Sequence, residues 1–144
     1  MVSIAAPRPG VQERILLHLR DYVDYADKVE VPFAISQMGI ANAVSIARSN
    51  VPRAISGMKD SGHLIERQAH VSGVSRKRKA YFLTSDGVSL ADDIWKKVSE
   101  QPIRLIHSDG RSENVDLQSA IEATELPLRH VDILRYLDDS GTVD

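Results

Sequence analysis

The sequence predicts an α+β fold, a set of short helices bearing a two-stranded hairpin, and three observations predict it. Val51, Ala54, Ile55 and Met58 recur at i, i+3, i+4 and i+7, the spacing of one helical face. Two β-rich runs, His63 to Val71 and Lys79 to Leu83, flank Ser72-Gly73-Val74-Ser75, which has the composition of a turn. Four consecutive cations, Arg76-Lys77-Arg78-Lys79, sit at that hairpin.

In chain order, residues 1–10 contain Pro7, Pro9 and Gly10 and are expected to form a flexible N-terminus. Residues 11–26 predict a helix whose apolar stripe is Val11, Ile15, Leu16, Leu19, Tyr22 and Val23. Val29 to Phe33 is a short extended piece, and Pro32, which has no N–H to give a ladder, suits an edge strand. Ile35 to Val44 predicts a second short helix. Gly39 inside it costs about 1 kcal/mol relative to Ala, so a close contact with another helix is expected there. The third helix is expected to start near Ser49 as N-cap, with Ser45 to Arg48 as an irregular or 3₁₀ lead-in. Pro52 then falls in the first turn, where no backbone bond is lost. Gly62 follows as a C′ glycine able to take positive φ. After the hairpin, Thr84 is a good N-cap and Asp86 suits the positive end of the next helix, which runs to about Val98. Ile103 to His107 is a strand candidate, Ser108-Asp109-Gly110 a turn, and Val115 to Leu117 a return strand or the start of a helix. Helices are expected near Leu117 to Ala123 and over Leu128 to Leu137. Asp138 to Asp144 reads as a linker, with further protein expected beyond it.

Charge sets one stretch apart. From Ser45 to Leu83 eight Lys and Arg face two acids, Asp60 and Glu66, a net +6; the chain of 144 residues totals −2, which leaves −8 on the rest. A basic island on an acidic body is the electrostatic footprint of a site for a polyanion. The exposed side of the third helix is short, polar and basic: Ser49, Asn50, Arg53, Ser56 and Gly57.

Composition narrows the rest. Hydrophobic residues make up 42% of the chain and aromatics only 5%, so aliphatic side chains must build the core. Without cysteine there are no disulfides, thiolate metal sites or Cys nucleophiles, and a cytoplasmic location is the simpler expectation. No apolar run approaches 18 residues. The five histidines lack metal-ligand spacing, and no P-loop, GxGxxG, GxSxG or HExxH occurs, so neither an enzyme nor a cofactor is expected. Asp92-Asp93 and Asp138-Asp139 are adjacent pairs, which on a helix diverge and make no acid/base couple.

The order helix, edge strand, helix, turn, helix, strand, basic loop, strand, helix is the plan of a winged helix-turn-helix domain. The domain is a three-helix core plus a β-hairpin wing over residues 11–100, followed by a small C-terminal α/β appendage of hairpin and helix over residues 101–144. Ala41-x-x-Val44-x-Ile46-x-Arg48-Ser49-x-Val51-x-Arg53-Ala54 resembles the turn and recognition helix of MarR-like winged-helix regulators. Asp60-Ser61-Gly62-His63-Leu64-Ile65-Glu66 resembles their exit into the wing, and Tyr81-Phe82-Leu83-Thr84-x-x-Gly87 the strand-to-helix passage after it. The fit is closest to archaeal regulators, some of which carry an ATPase or repeat region after this domain. Ala47, where a Ser cap is frequent, and His63, where Leu or Tyr is expected, depart from the pattern.

The resemblance implies a sequence-specific regulator of transcription bound to double-stranded DNA. A helix fits the major groove, where Arg53 could bond guanine and Asn50 adenine. Ser49 with the helix N-terminus suits a phosphate, and Arg48 lies next to it. Arg76, Lys77, Arg78 and Lys79 would neutralise phosphates or enter a minor groove. A homodimer is expected, with Tyr22, Tyr25, Ile94, Trp95 and Val98 as its apolar surface. The alternative is a winged-helix protein-interaction module at the start of a larger signalling ATPase or repeat protein, its basic face on an acidic partner.

Overall fold

The computed structural model describes residues 2–5, 10–100, 103–107 and 109–116. Its elements in chain order are β1 (Val2–Ala5), α1 (Val11–Arg20), β2 (Glu30–Val31), α2 (Gln37–Val44), α3 (Val51–Asp60), β3 (Leu64–Val71), β4 (Lys77–Leu83), α4 (Ser85–Glu100), β5 (Ile103–His107) and β6 (Ser112–Val115). They fall into two compact units, Val11–Asp93 and a second made of Met1–Gly10 with Ile94–Asp144.

The Val11–Asp93 unit is a winged helix-turn-helix. Helix α1 packs on α2, α3 and β4, and α3 packs on α2 and β3. Ile15, Leu16 and Leu19 of α1, Ile40 and Val44 of α2, Val51, Ile55 and Met58 of α3, and Tyr81 and Phe82 of β4 are buried and form the core. The wing is the antiparallel β3–β4 hairpin, in register from Leu64↔Leu83 to His70↔Lys77. Strand β2 adds to β3 in parallel through Glu30↔His70 and Val31↔Val71, an edge position that Pro32 next to it does not disturb.

Helix α1 is shorter than its periodicity predicts. It stops at Arg20, and the chain tightens into i−3 bonds, Asp21 N–H to His18 O and Tyr22 N–H to Leu19 O, before a 3₁₀ turn over Val23–Tyr25. The segment after it is held from a distance. Arg67 of β3 donates to the carbonyls of Tyr25, Ala26 and Lys28 and so holds the turn that follows α1.

Helix α2 starts at Gln37, preceded by a 3₁₀ turn over Phe33–Ile35. Ser36 caps it: its Oγ accepts from Gly39 N–H at 3.1 Å and donates to Phe33 O at 2.6 Å. Gly39 is where the expected close contact falls, against that turn's backbone rather than a second helix. The turn into α3 begins at Ser45, the helix C-cap, whose φ of 59° is left-handed.

Helix α3 begins later than expected. Arg48–Asn50 form a 3₁₀ turn, the N-cap is Asn50 rather than Ser49, and Pro52 sits within the first two helical positions, where it costs no hydrogen bond. The helix closes as expected on Gly62, at φ 77°, with Gly62 N–H on Lys59 O and His63 N–H on Met58 O. Thr84 caps α4: its Oγ1 accepts from Gly87 N–H at 3.1 Å and donates to Gly62 O at 2.6 Å, which ties the end of α3 to the start of α4.

In the second unit β1 pairs antiparallel with β5, from Val2↔His107 to Ala5↔Arg104, and β5 pairs antiparallel with β6. This corrects the expected flexible N-terminus for residues 2–5. Val2–Ala5 make a strand whose partner, β5, is remote in the sequence. The return strand is Ser112–Val115, slightly earlier than expected. The helices expected at 117–123 and 128–137 lie outside the described residues.

Candidate nucleic-acid interface

The predicted site residues all reach the surface of the Val11–Asp93 unit. Arg48, Ser49 and Asn50 on the 3₁₀ turn, Arg53 on α3, and Arg76, Lys77, Arg78 and Lys79 on the wing are all exposed. The amphipathy of α3 produces this. Burying Val51, Ile55 and Met58 turns Arg53 and Ser56 outward.

The structure joins two parts of this set that are far apart in sequence. Arg48 and the wing residues Lys77, Arg78 and Lys79 line one open groove of about 600 Å³, with the half-exposed Phe33 and Met38 as its apolar wall. No acid lines it. Ser49, Asn50 and Arg53 are not among its lining residues and belong to the α3 side of the surface. The fold therefore presents a polar helix face and a cationic groove, which suits a polyanion with a backbone charge and a readable edge.

Three of the eight cations in the basic stretch are engaged elsewhere, which its charge count concealed. Arg67 is bonded to three carbonyls and stacks on Phe82, its guanidinium carbon 4.4 Å from the ring centroid. Lys59 and Lys79 share Glu66, at 3.3 Å and 3.6 Å. Burial pushes the Glu66 carboxyl up, but hydrogen bonds from Lys59 and Tyr81 and the charges of Lys59 and Lys79 outweigh it, and its pKa falls below the usual carboxylate value. Burial also raises the Tyr81 phenol, opposed by a hydrogen bond from Gln37 Nε2 at 3.0 Å and reinforced by the Glu66 charge. Among the described residues Arg48, Arg53, Arg76, Lys77 and Arg78 have no ion-pair partner. The one available signal for Glu66 was the hairpin register, which makes it a diagonal neighbour of Lys79. No local signal pointed to the carbonyls that hold Arg67.

Arg67→Ala is therefore expected to destabilise the fold and not only to alter its charge. Losing a charged donor to three carbonyls and a cation–π contact should cost about 2–3 kcal/mol in urea unfolding. Lysine should not rescue it, because a single ammonium cannot span the same carbonyls. A change below about 0.5 kcal/mol, typical of a free surface residue, would contradict this assignment.

His18 is the other polar group that the helix packing explains. It is fully buried in α1, and its Nε2 donates to Ala34 O at 2.7 Å, so α1 is fastened to the turn that precedes α2. Among the described residues no group of three His, Asp or Glu is placed to hold a metal ion.

These elements and this face define a winged helix-turn-helix domain with an acid-poor basic surface. No protein-family model and no curated protein matches the chain. Among solved structures it is similar to ZitR and MepR. A cysteine-to-serine variant of ZitR from Lactococcus lactis aligns at a TM-score of 0.46 and 19% identity, over 60% of this chain and 49% of that one. MepR of Staphylococcus aureus in complex with DNA aligns at 0.48 and 16% identity, over 65% and 68%. MepR described as a transcription regulator of the multidrug efflux pump MepA aligns at 0.49 and 12% identity, over 89% and 73%. The chain spans about half the length of the ZitR chain it matches.

Proposed function

We propose that this chain is a sequence-specific double-stranded DNA-binding regulator of transcription, with α3 in the major groove and the wing on the phosphate backbone. The observation that carries the reading is the basic groove that Arg48, on the 3₁₀ turn before α3, shares with Lys77, Arg78 and Lys79 of the wing, together with the exposed Arg53 on α3. Arg53 and Asn50 read base edges, and Arg48, Ser49, Arg76, Lys77, Arg78 and Lys79 bind phosphate. One recognition helix and one wing form a small footprint, so a two-fold dimer on paired half-sites about one helical turn apart completes the reading.

Selection of bound sequences from a random duplex library, followed by gel shift at low and high salt, tests it. Enrichment of a defined site supports it, and no retention of duplex DNA at low salt overturns it in favour of an acidic protein partner. On the selected site Arg53→Ala should cost about 1–3 kcal/mol, with little loss on random DNA. Equal loss on both would make Arg53 a phosphate contact only.

A further inference from the structure

Glu66 is an acid placed inside the basic surface. It lies on β3 opposite Tyr81 in the ladder, and its two oxygens are divided between two elements. Oε2 holds Lys59 Nζ of α3 at 3.3 Å, and Oε1 holds Lys79 Nζ of β4 at 3.6 Å. The Glu66 side chain is 23% exposed, against 42% for Lys59 and 53% for Lys79, so the carboxylate lies under two ammonium groups that reach solvent. The Tyr81 hydroxyl, which accepts from Gln37 Nε2, adds to its stabilisation. Polar contacts thus run from α2 through β4 and β3 to α3.

Ion pairs with this much exposure contribute little to folding. Their effect on a polyanion is larger. Phosphate affinity grows with each cation that is free to displace counterions, and a carboxylate already neutralises part of what these two lysines could offer. Such affinity does not depend on sequence, so withholding it favours the base-reading contacts of the same helix.

We propose that Glu66 is a specificity-setting positioning residue of this surface. It holds Lys59 of the recognition helix and Lys79 of the wing on one carboxylate, limits sequence-independent affinity and fixes the end of the helix against the wing. This rests on the DNA-binding reading above.

Glu66→Gln is the test, because glutamine keeps the shape and an acceptor while removing the charge. The variant should elute from heparin at higher salt than the wild type. Its affinity for random duplex should rise roughly 3–10-fold, with a log K versus log salt slope steeper by about 1–2. The selected site should gain less, so the specificity ratio narrows. Adding Lys59→Gln and Lys79→Gln should abolish the gain. Unchanged heparin elution and slope would overturn the proposal. So would equal weakening on both DNAs with a lower melting temperature, the mark of a purely structural residue. If the wild type binds no duplex, the DNA reading falls, and the heparin comparison still decides whether Glu66 withholds the two lysines.

Discussion

Gly39→Ala is expected to lower the melting temperature by about 8–16 °C, although alanine is the better helix former. A Cβ at position 39 would lie 2.0 Å from Phe33 O, 2.6 Å from Ala34 Cα and 2.7 Å from Ala34 C. All three are backbone atoms, so no rotamer change relieves the clash, and the 3₁₀ turn or α2 must move. Overpacking of this kind costs about 3 kcal/mol, against the roughly 1 kcal/mol that alanine returns through helix propensity. The clash wins, and for a domain of this size each kcal/mol shifts the midpoint by about 4–8 °C. The same displacement would pull Ser36 off Gly39 N–H and disturb the groove wall at Phe33 and Met38. Thermal unfolding followed by circular dichroism checks it. A melting temperature equal to or above that of the wild type would show that the turn yields freely.

Replacing Arg76, Lys77, Arg78 and Lys79 together by alanine is expected to weaken binding to every duplex by on the order of 100-fold, equally on the selected site and on random DNA. All four are exposed, so the fold should survive. Four independent phosphate contacts would flatten the salt slope by about 3.6 units at roughly 0.9 each. Because Lys79 already shares Glu66, the expected change is nearer 3. Fluorescence anisotropy over a salt series separates these values. An unchanged slope would remove the wing from the interface. A loss confined to the selected site would mean that the wing reads bases and does not merely hold the backbone.

Much of the fold is legible in the sequence because its causes are local. The stripe of Val51, Ile55 and Met58 is a consequence of helical spacing, and burying it turns Arg53 outward whatever the neighbours are. Gly62 stops α3 because it adopts positive φ without a Cβ penalty, and Thr84 starts α4 because its hydroxyl reaches Gly87 N–H three residues on. The hairpin is likewise a short-range feature, although its second strand starts at Lys77 and not at Lys79, so that Lys77, Arg78 and Lys79 lie on the strand and not in the loop.

Tertiary structure decided what depends on partners remote in the chain. Arg67 and Arg53 count alike in a charge sum, but only packing brings Arg67 to the carbonyls of Tyr25, Ala26 and Lys28, where it holds the turn after α1. Val2–Ala5 is a strand only because β5 offers it a ladder. Glu66 holds Lys59 and Lys79 because the hairpin register and the exit from α3 converge on it. The residue types set the number of charges in the basic stretch. Which of those charges stay open to a polyanion follows from hydrogen bonds and ion pairs that close only when distant segments meet, since a charge is used up by whatever neutral or anionic group the fold places within reach.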